Sequence, residues 1–383
     1  MRPVGEERRS ASGLASSDPT LGASRGQASE VSLRRVKTAI NVGGPASGAP
    51  GDFARMAAFA VEAEKLGVDS AWSAEAWGYD AVSILAYLAA KTERLVLGSG
   101  ILQISARTPS TTAMTAMALA ALSGNRFILG LGASGPQVVE GLHGVRFAHP
   151  LARMRDTIEI VKLAFRGEPL RHAGRHHVLP LPGGEGKALR LAQPANPKIP
   201  IYLATLAPKA LELTGELADG WLGTSFTPEA AEAHLAHLRR GAERAGRTLA
   251  DLTLCVGCTF AITDDPEPLV AAQKPRMAFT LGAMGSARTN FYNDAYRRGG
   301  FEDAGNEVRR LWLEGKREEA ARRVPDELIR RTTLIGPESH IRERLRAYRA
   351  AGIGLMRIEP LGADDGERLD ALGRAVELVR RES

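Results

Sequence analysis

The chain has 383 residues, of which 44% are apolar and 25% charged, with a net charge of +6. This composition is that of an ordinary globular protein with ample material for a large core. It contains no run of about 18 apolar residues, so we expect no membrane partner and no membrane-spanning helix.

The positive charge is diffuse, which argues against nucleic acid as a partner. Three arginine-rich runs, 239–247, 309–331 and 342–349, alternate with glutamate and alanine at helical spacing. That pattern is typical of solvated helix faces. Aromatic residues make up only 5% of the chain, and none interleave with the basic runs. A nucleic-acid surface would need such stacking groups, so we expect none.

Residues 1–34 are rich in Ser, Gly, Ala and Arg without apolar periodicity, which predicts a disordered tail. The Arg8-Arg9 pair is not followed by an apolar stretch, so we expect no export signal. The two cysteines, Cys255 and Cys258, are too few for a disulfide framework. Together these features predict a cytoplasmic protein.

From residue 35 onward, the sequence predicts one domain built of repeated strand–helix units. Eight apolar strands are expected at residues 36–44, 68–75, 94–105, 125–137, 199–205, 219–225, 253–263 and 353–362. Two insertions interrupt the rhythm: a proline-rich loop at 167–198, after strand four, and a helical segment at 265–333, after strand seven. Eight units in unbroken order favour a (β/α)8 TIM barrel, an α/β fold, over an open sheet.

Gly130, Gly132 and Gly135 form a G-x-G-x-x-G pattern directly after the fourth strand. A dinucleotide-binding fold would require a long helix there and an acidic residue about 20 positions later. Pro136 and two further glycines interrupt that helix, and the acidic strand end is missing. In a barrel, the same loop brings backbone N–H groups and Ser134 to a ligand at the catalytic face.

Small residues recur at four predicted strand ends, at 98–100, 133–135, 204–205 and 223–225. The need for glycine in a tight turn explains small residues at any one of these strand ends, but it explains their presence at all four less easily. A bulky flat ligand, or a phosphate held by backbone donors, requires such clearance.

Cys255 and Cys258 have the C-x-x-C spacing of a redox pair or half a zinc site. Within a strand, however, positions i and i+3 face opposite sides. We therefore interpret both as buried, inert thiols. The loop histidines at 143, 149, 176 and 177 lack a carboxylate at ligand spacing, so we expect no metal.

The segment RTPSTTAMTAMALAALSGNRFILGLGASGPQVVEGLHGVRF, with AWSAEAWGYD before it and IPIYLATLAPKALELTGELADGW after it, resembles the luciferase-like superfamily. Within that superfamily it is most similar to the coenzyme F420 (deazaflavin) dependent oxidoreductases related to methylenetetrahydromethanopterin reductase. The resemblance extends from about residue 36 to the last helix, so only the tail lies outside it.

The resemblance implies a non-prolyl cis peptide between Gly100 and Ile101, backing one face of the deazaflavin. It also implies that Glu75, after the second strand, lies beside the cofactor. Further positions match loops that line the ring and its phosphate-bearing tail: Thr108, Pro109, Ser134, Gly135, Pro136, Gln137, Val138, Ala204, Thr205, Leu206, Ala207 and Pro208.

Two departures from the family pattern bear on the reaction. Family sugar dehydrogenases have a histidine base where this chain has Ala76, and a glutamate where it has Gly135. Oxidation of a hydroxyl group would lack its base. We therefore expect the reductase direction, with hydride transferred to an activated C=C or C=N bond.

A reduction still requires a proton or a polarising group. Glu75 is the first candidate for the acid, because a carboxyl group in a barrel mouth can hold its proton. Trp77 and Tyr79 in the same loop are candidates for contacting the substrate, or for capping the barrel mouth. Asp80 is expected to cap its helix. The insertion after strand seven, with Arg288, Asn290, Tyr292 and Asn293, is expected to form a lid or an oligomer contact.

The leading hypothesis is thus an F420-dependent oxidoreductase acting on a small molecule. One alternative is a luciferase-like monooxygenase that uses FMN. Another is a non-catalytic deazaflavin carrier, suggested by Ala76. Symmetric dimers are the commonest oligomers, so a homodimer is expected.

Overall fold

Eight parallel strands close into a barrel in the computed structural model, which describes residues 35–43, 49, 51–286 and 289–383. The strands are β1 (Lys37–Val42), β2 (Ser70–Ser73), β3 (Val96–Ser99), β4 (Phe127–Gly132), β5 (Ile201–Ala204), β6 (Gly220–Leu222), β7 (Thr253–Ile262) and β8 (Ile353–Pro360). Each pairs in parallel with its neighbours, and β1 closes the ring on β8. The predicted barrel is confirmed. The predicted tail, residues 1–34, lies outside the described residues.

A helix follows each barrel strand. These helices are α1 (Asp52–Lys65), α2 (Ala81–Ala89), α3 (Pro109–Leu122), α4 (Pro150–Phe165), α5 (Pro208–Leu217), α6 (Glu232–Arg244), α7 (Glu338–Ala350) and α8 (Asp365–Arg381). The carboxylate of Asp80 accepts a hydrogen bond from the Ser83 backbone N–H at 2.8 Å, so Asp80 caps α2 as predicted. No described helix is both long and apolar enough to cross a bilayer.

Side chains alternate between the inside and the outside of the barrel along each strand. The outward residues pack against the helices in one large apolar cluster. Cys258 belongs to that outer cluster, whereas Cys255 belongs to the inner one, so the two thiols face opposite sides as predicted. Burial raises the pKa of Cys258 to about 11, so both position and protonation make that thiol inert.

A separate apolar cluster inside the barrel forms a floor, in which Trp72 and Tyr202 are the largest side chains. Its members are Ala39, Trp72, Tyr202, Leu222, Cys255 and Leu355. The Trp72 and Tyr202 rings lie 5.7 Å apart between centroids, and the Trp72 indole N–H donates to the Ser70 hydroxyl at 2.9 Å. Such layers of inward side chains make a TIM barrel a packed core rather than a pore.

The insertion after β4 contains a feature that the sequence did not predict. Residues 172–173 and 178–179 pair as a short antiparallel hairpin within the expected proline-rich loop. Asp156 of α4 fixes this hairpin by accepting hydrogen bonds from the backbone N–H groups of His176, at 2.6 Å, and His177, at 2.8 Å. Asp156, Glu159 and His172 lie close enough together to offer three ligand atoms, but Asp156 is already used structurally.

The insertion after β7 is helical, as predicted, and has an apolar cluster of its own. Its helices are Glu267–Gly282, Phe291–Arg298, Glu302–Leu313, Arg317–Arg322 and Asp326–Thr332. A three-residue strand, Leu334–Gly336, follows it and pairs with the carboxyl half of β7. The sequence did not predict this strand. It arises because β6 pairs only with residues 253–255 of β7, which leaves the rest of that edge open.

Candidate active site

A cavity of about 320 Å³ opens at the carboxyl ends of β6, β7 and β8 and is walled on one side by the helical insertion. Its polar lining includes Asn41, Thr259, Arg276, Tyr292, Tyr296, Arg357 and Glu359. A neighbouring cavity of about 470 Å³ lies between α1 and the ends of β1 and β8, and it shares Asn41 and Glu359. Both lie at the end of the barrel where TIM-barrel enzymes carry their sites.

Glycines occupy β3, the position directly after it and β4, at Gly98, Gly100 and Gly132. A Cβ atom added at Gly98 would lie 2.4 Å from the Trp72 ring, and one at Gly132 would lie 2.9 Å from the Ile101 side chain. At Gly100 the nearest atoms would be 3.5 to 3.7 Å away, an ordinary contact distance. Gly98 is therefore required by the floor, whereas Gly100 could carry a Cβ atom without a clash.

The peptide bond between Gly100 and Ile101 is cis, as the resemblance implies. The Gly100 N–H donates to the Ser73 carbonyl at 2.7 Å, and the Ile101 carbonyl accepts from the Glu75 N–H at 3.1 Å. The Gln103 amide in turn donates to the Glu75 carbonyl at 3.1 Å. These hydrogen bonds fix the end of β3 against the loop that follows β2.

The Glu75 carboxylate pairs with Arg107, a residue that the sequence analysis missed. Arg107 donates to both carboxylate oxygens, one of them at 2.7 Å, and the side chains are only 10% (Glu75) and 19% (Arg107) exposed. The hydrogen bond to Glu75 raises the pKa of Arg107. Both oxygens of the Glu75 carboxylate are therefore engaged by one guanidinium group. The geometry therefore favours a positioning role for Glu75 over the predicted acid role.

Trp77 and Tyr79, predicted to contact the substrate, are both exposed. Trp77 is 64% accessible and lines neither of the two mouth cavities. Tyr79 lines the neighbouring cavity, where its ring packs on Phe53 with 5.0 Å between centroids. Substrate contact and capping of the barrel mouth both stay predictions for these two residues.

The predicted cofactor-binding residues that follow β3 and β4 lie where a helix begins. Thr108 caps α3 by accepting from the Thr111 N–H at 3.2 Å. Ser134 has a left-handed backbone, with φ 58°, and Gly135 precedes a six-residue helix, Pro136–Gly141. Ser134, Gly135, Pro136 and Val138 are half-buried, whereas Gln137 is exposed.

The predicted residues after β5 are largely engaged within the protein. The Thr205 hydroxyl pairs with that of Thr214 at 2.7 Å, and its carbonyl accepts from the Trp221 indole at 2.9 Å. The Leu206 carbonyl accepts from Arg298 at 2.7 Å. Ala204, Ala207 and Pro208 are half-buried.

Arg357 of β8 is the second important residue that the sequence analysis missed. It lines the cavity two positions above Leu355 of the floor, and its neighbour on the same face, Glu359, pairs with Arg276 at 2.6 Å. The signal was present in the sequence. In IGLMRIEPLG, Leu355, Arg357 and Glu359 alternate with apolar residues and so share one face.

The insertion contributes Tyr292 and Tyr296 to the cavity. Burial raises the pKa of both phenols, so each keeps its proton at neutral pH. Asn290 and Asn293, grouped with Tyr292 in the predicted lid, are buried and structural. Asn290 caps the helix Phe291–Arg298, and Asn293 donates to the Gly305 carbonyl at 2.7 Å. Arg288 lies outside the described residues.

Comparison with known proteins relates most of the barrel to one family. Residues 36–354 match the family description "Luciferase-like monooxygenase". A Mycobacterium tuberculosis protein named "Putative coenzyme F420-dependent oxidoreductase" is 42% identical over 318 residues, which cover 81% of this chain and 92% of that protein.

Two solved structures share the fold at lower identity. The coenzyme F420 dependent tetrahydromethanopterin reductase from Methanopyrus kandleri has a TM-score of 0.72 at 22% identity, covering 89% of this chain and 98% of its own. The oxygenating constituent of 3,6-diketocamphane monooxygenase from Pseudomonas putida, in complex with FMN, has a TM-score of 0.64 at 18% identity, covering 91% and 98%.

Proposed function

Because the chain belongs to the luciferase-like monooxygenase family, we propose that it is a coenzyme F420-dependent oxidoreductase. In this proposal it transfers a hydride from the reduced deazaflavin to an activated C=C or C=N bond of a small organic acceptor, which also takes up one proton. The 42% identical relative bears an F420-dependent name, which favours F420 over FMN.

One observation carries the proposal. The cis peptide Gly100–Ile101 carries no side chain at Gly100, and Arg357 of the cavity wall lies 3.7 Å from the position that a Cβ of Gly100 would take. In this proposal the flat ring binds where this strand end meets the cavity. In this proposal Trp72 lies beneath the ring, and the half-buried loop at 134–136, at the end of the adjacent strand, binds the polar tail. The cofactor, when bound, supplies the hydride and the redox chemistry, while the protein supplies position and polarity.

The cavity lining supports the reductase direction. Among the described residues that line it, there is no histidine, and the one carboxylate, Glu359, is paired with Arg276. A hydroxyl oxidation would lack a free general base there. Tyr292 offers what a reduction requires, a protonated hydroxyl that can donate a hydrogen bond to the acceptor.

Titrating the purified protein with F420 and with FMN, followed by fluorescence, tests the cofactor assignment. We expect F420 to bind at least about tenfold more tightly than FMN, equivalent to about 1.4 kcal/mol. A preference for FMN would favour the monooxygenase alternative. If F420 binds but its reduced form is never oxidised by any member of a panel of activated C=C and C=N acceptors, the chain is a carrier instead.

Gly100→Ala tests the location of the ring. The added methyl group would meet its nearest protein atoms at 3.5 Å, so the fold should tolerate it. We expect F420 affinity to fall about tenfold or more, because overpacking a filled site costs about 1–3 kcal/mol. The matched control is Gly186→Ala, where an added Cβ would have no atom within 4 Å. Equal F420 affinity in the two variants would place the ring elsewhere.

A further inference from the structure

Arg357 is an inward-facing arginine that has no acidic partner in the described part of the chain. Its Nε atom is buried and has no hydrogen-bond partner, and no described carboxylate lies within 4.0 Å of its guanidinium group. Its Nη1 atom lies 3.7 Å from the position that a Cβ of Gly100 would take, so it stands beside the proposed ring site. A half-buried charge without a counter-charge is costly unless a ligand supplies one.

The groups that face Arg357 do not neutralise it. Glu359, two positions along β8, pairs with Arg276 at 2.6 Å and accepts from the Thr259 hydroxyl at 3.5 Å. Burial raises the pKa of the Cys255 thiol below Arg357, although the guanidinium itself opposes that shift. Tyr292 also keeps its proton. The cavity wall around Arg357 therefore supplies neutral hydrogen-bonding groups, one carboxylate that is already paired, and the Arg276 guanidinium group that pairs with it.

We propose that Arg357 binds an oxyanion of the acceptor, a carboxylate or a phosphate, and so selects small organic acids as substrates. The guanidinium fork matches the two oxygens of such a group and holds it bidentately. The selection of an anion rests on the structure around Arg357 alone. Only the further statement, that the anion belongs to the molecule being reduced, rests on the proposed function.

The position of Arg357 also orients the acceptor. Gly257 of β7 flanks the guanidinium group without contributing a side chain, and a Cβ added there would lie 3.9 Å from Nη2. The floor blocks movement deeper into the barrel, and Tyr292 stands on the side of the insertion. An acid bound at Arg357 would therefore extend its uncharged part toward Gly100 or toward the cavity mouth.

Isothermal titration of inorganic phosphate, acetate and benzoate into the protein, with and without bound F420, tests the inference and separates phosphate from carboxylate recognition. We expect at least one of these anions to bind with one-to-one stoichiometry. Arg357→Met should weaken that binding about tenfold or more, and Arg357→Lys should weaken it less. Glu359→Gln should preserve or strengthen it, because a nearby negative charge is removed.

The matched control is Arg55→Met, which removes an arginine of the neighbouring cavity that is already paired with Asp52 at 2.9 Å. We expect this variant to bind the anions as the wild type does. The proposal is overturned if none of the three anions binds, or if Arg357→Met binds them unchanged. It is also overturned if Arg357→Met weakens F420 binding tenfold while anion binding persists. Anion binding that depends on Arg357 in a protein that binds no F420 would instead overturn the proposed function and leave Arg357 as an anion site.

Discussion

Gly130→Ala is expected to destabilise the protein more than alanine at either of the other two glycines of the G-x-G-x-x-G pattern. A Cβ at Gly130 would lie 1.8 Å from the Ser99 carbonyl oxygen, which belongs to the backbone and cannot rotate away. The Ser99 hydroxyl also bridges the Gly130 N–H, at 2.8 Å, and the Gly130 carbonyl, at 2.9 Å. We expect the free energy of unfolding to fall by about 3 kcal/mol, the upper end for overpacking.

The other two glycines provide graded controls. At Gly132 the added Cβ would meet the Ile101 side chain at 2.9 Å, and that side chain can shift, so we expect a cost of about 1 kcal/mol. At Gly135 no atom lies within 4 Å and φ is −131°, so Gly135→Ala should leave stability unchanged. Urea denaturation of the three variants measures how far each one lowers the free energy of unfolding. Equal effects, or the largest effect at Gly135, would contradict this account of β3 and β4.

These three glycines show why the pattern was ambiguous in the sequence. The spacing resembles a phosphate-binding fingerprint, but Gly130 is required by the approach of β3, and Gly132 by the Ile101 side chain. Only Gly135 is free of such a structural requirement. A one-dimensional pattern cannot distinguish a glycine that admits a neighbouring strand from one that admits a ligand, because both require the absence of a Cβ.

The barrel itself was predictable because strand alternation and unit order depend on neighbouring residues. The site was less so. Arg107 lies 32 residues from Glu75 in the sequence, and the two side chains pair only because the loops after β2 and β3 meet in the fold. Trp77 and Tyr79 lie close to Glu75 in sequence, yet both are exposed whereas the Glu75 side chain is mostly buried, because spacing in a loop does not fix the direction of a side chain. Arg357 could have been recognised, because an inward-facing charge within an apolar strand requires a partner.

Removing Arg107 is the second substitution for which we expect a large effect. Arg107→Met leaves the Glu75 carboxylate mostly buried without its guanidinium partner, which should cost about 3 kcal/mol of stability. Glu75→Gln leaves the same arginine unpaired. The double variant should be less destabilised than the sum of the single variants, with a coupling energy of about 2 kcal/mol. Urea denaturation of the four proteins measures this cycle.

The same variants decide between the two roles of Glu75. If Glu75 is a proton donor, Glu75→Gln alone should lower kcat by about 10²- to 10⁴-fold and leave F420 affinity intact. We expect a different result, because the Glu75 backbone N–H fixes the Ile101 carbonyl at 3.1 Å and the ion pair fixes Glu75. Arg107→Met and Glu75→Gln should each weaken F420 binding, and to a similar extent. Arg155→Met, which breaks the ion pair with Glu216 between α4 and α5, is the matched control and should change stability without changing F420 affinity.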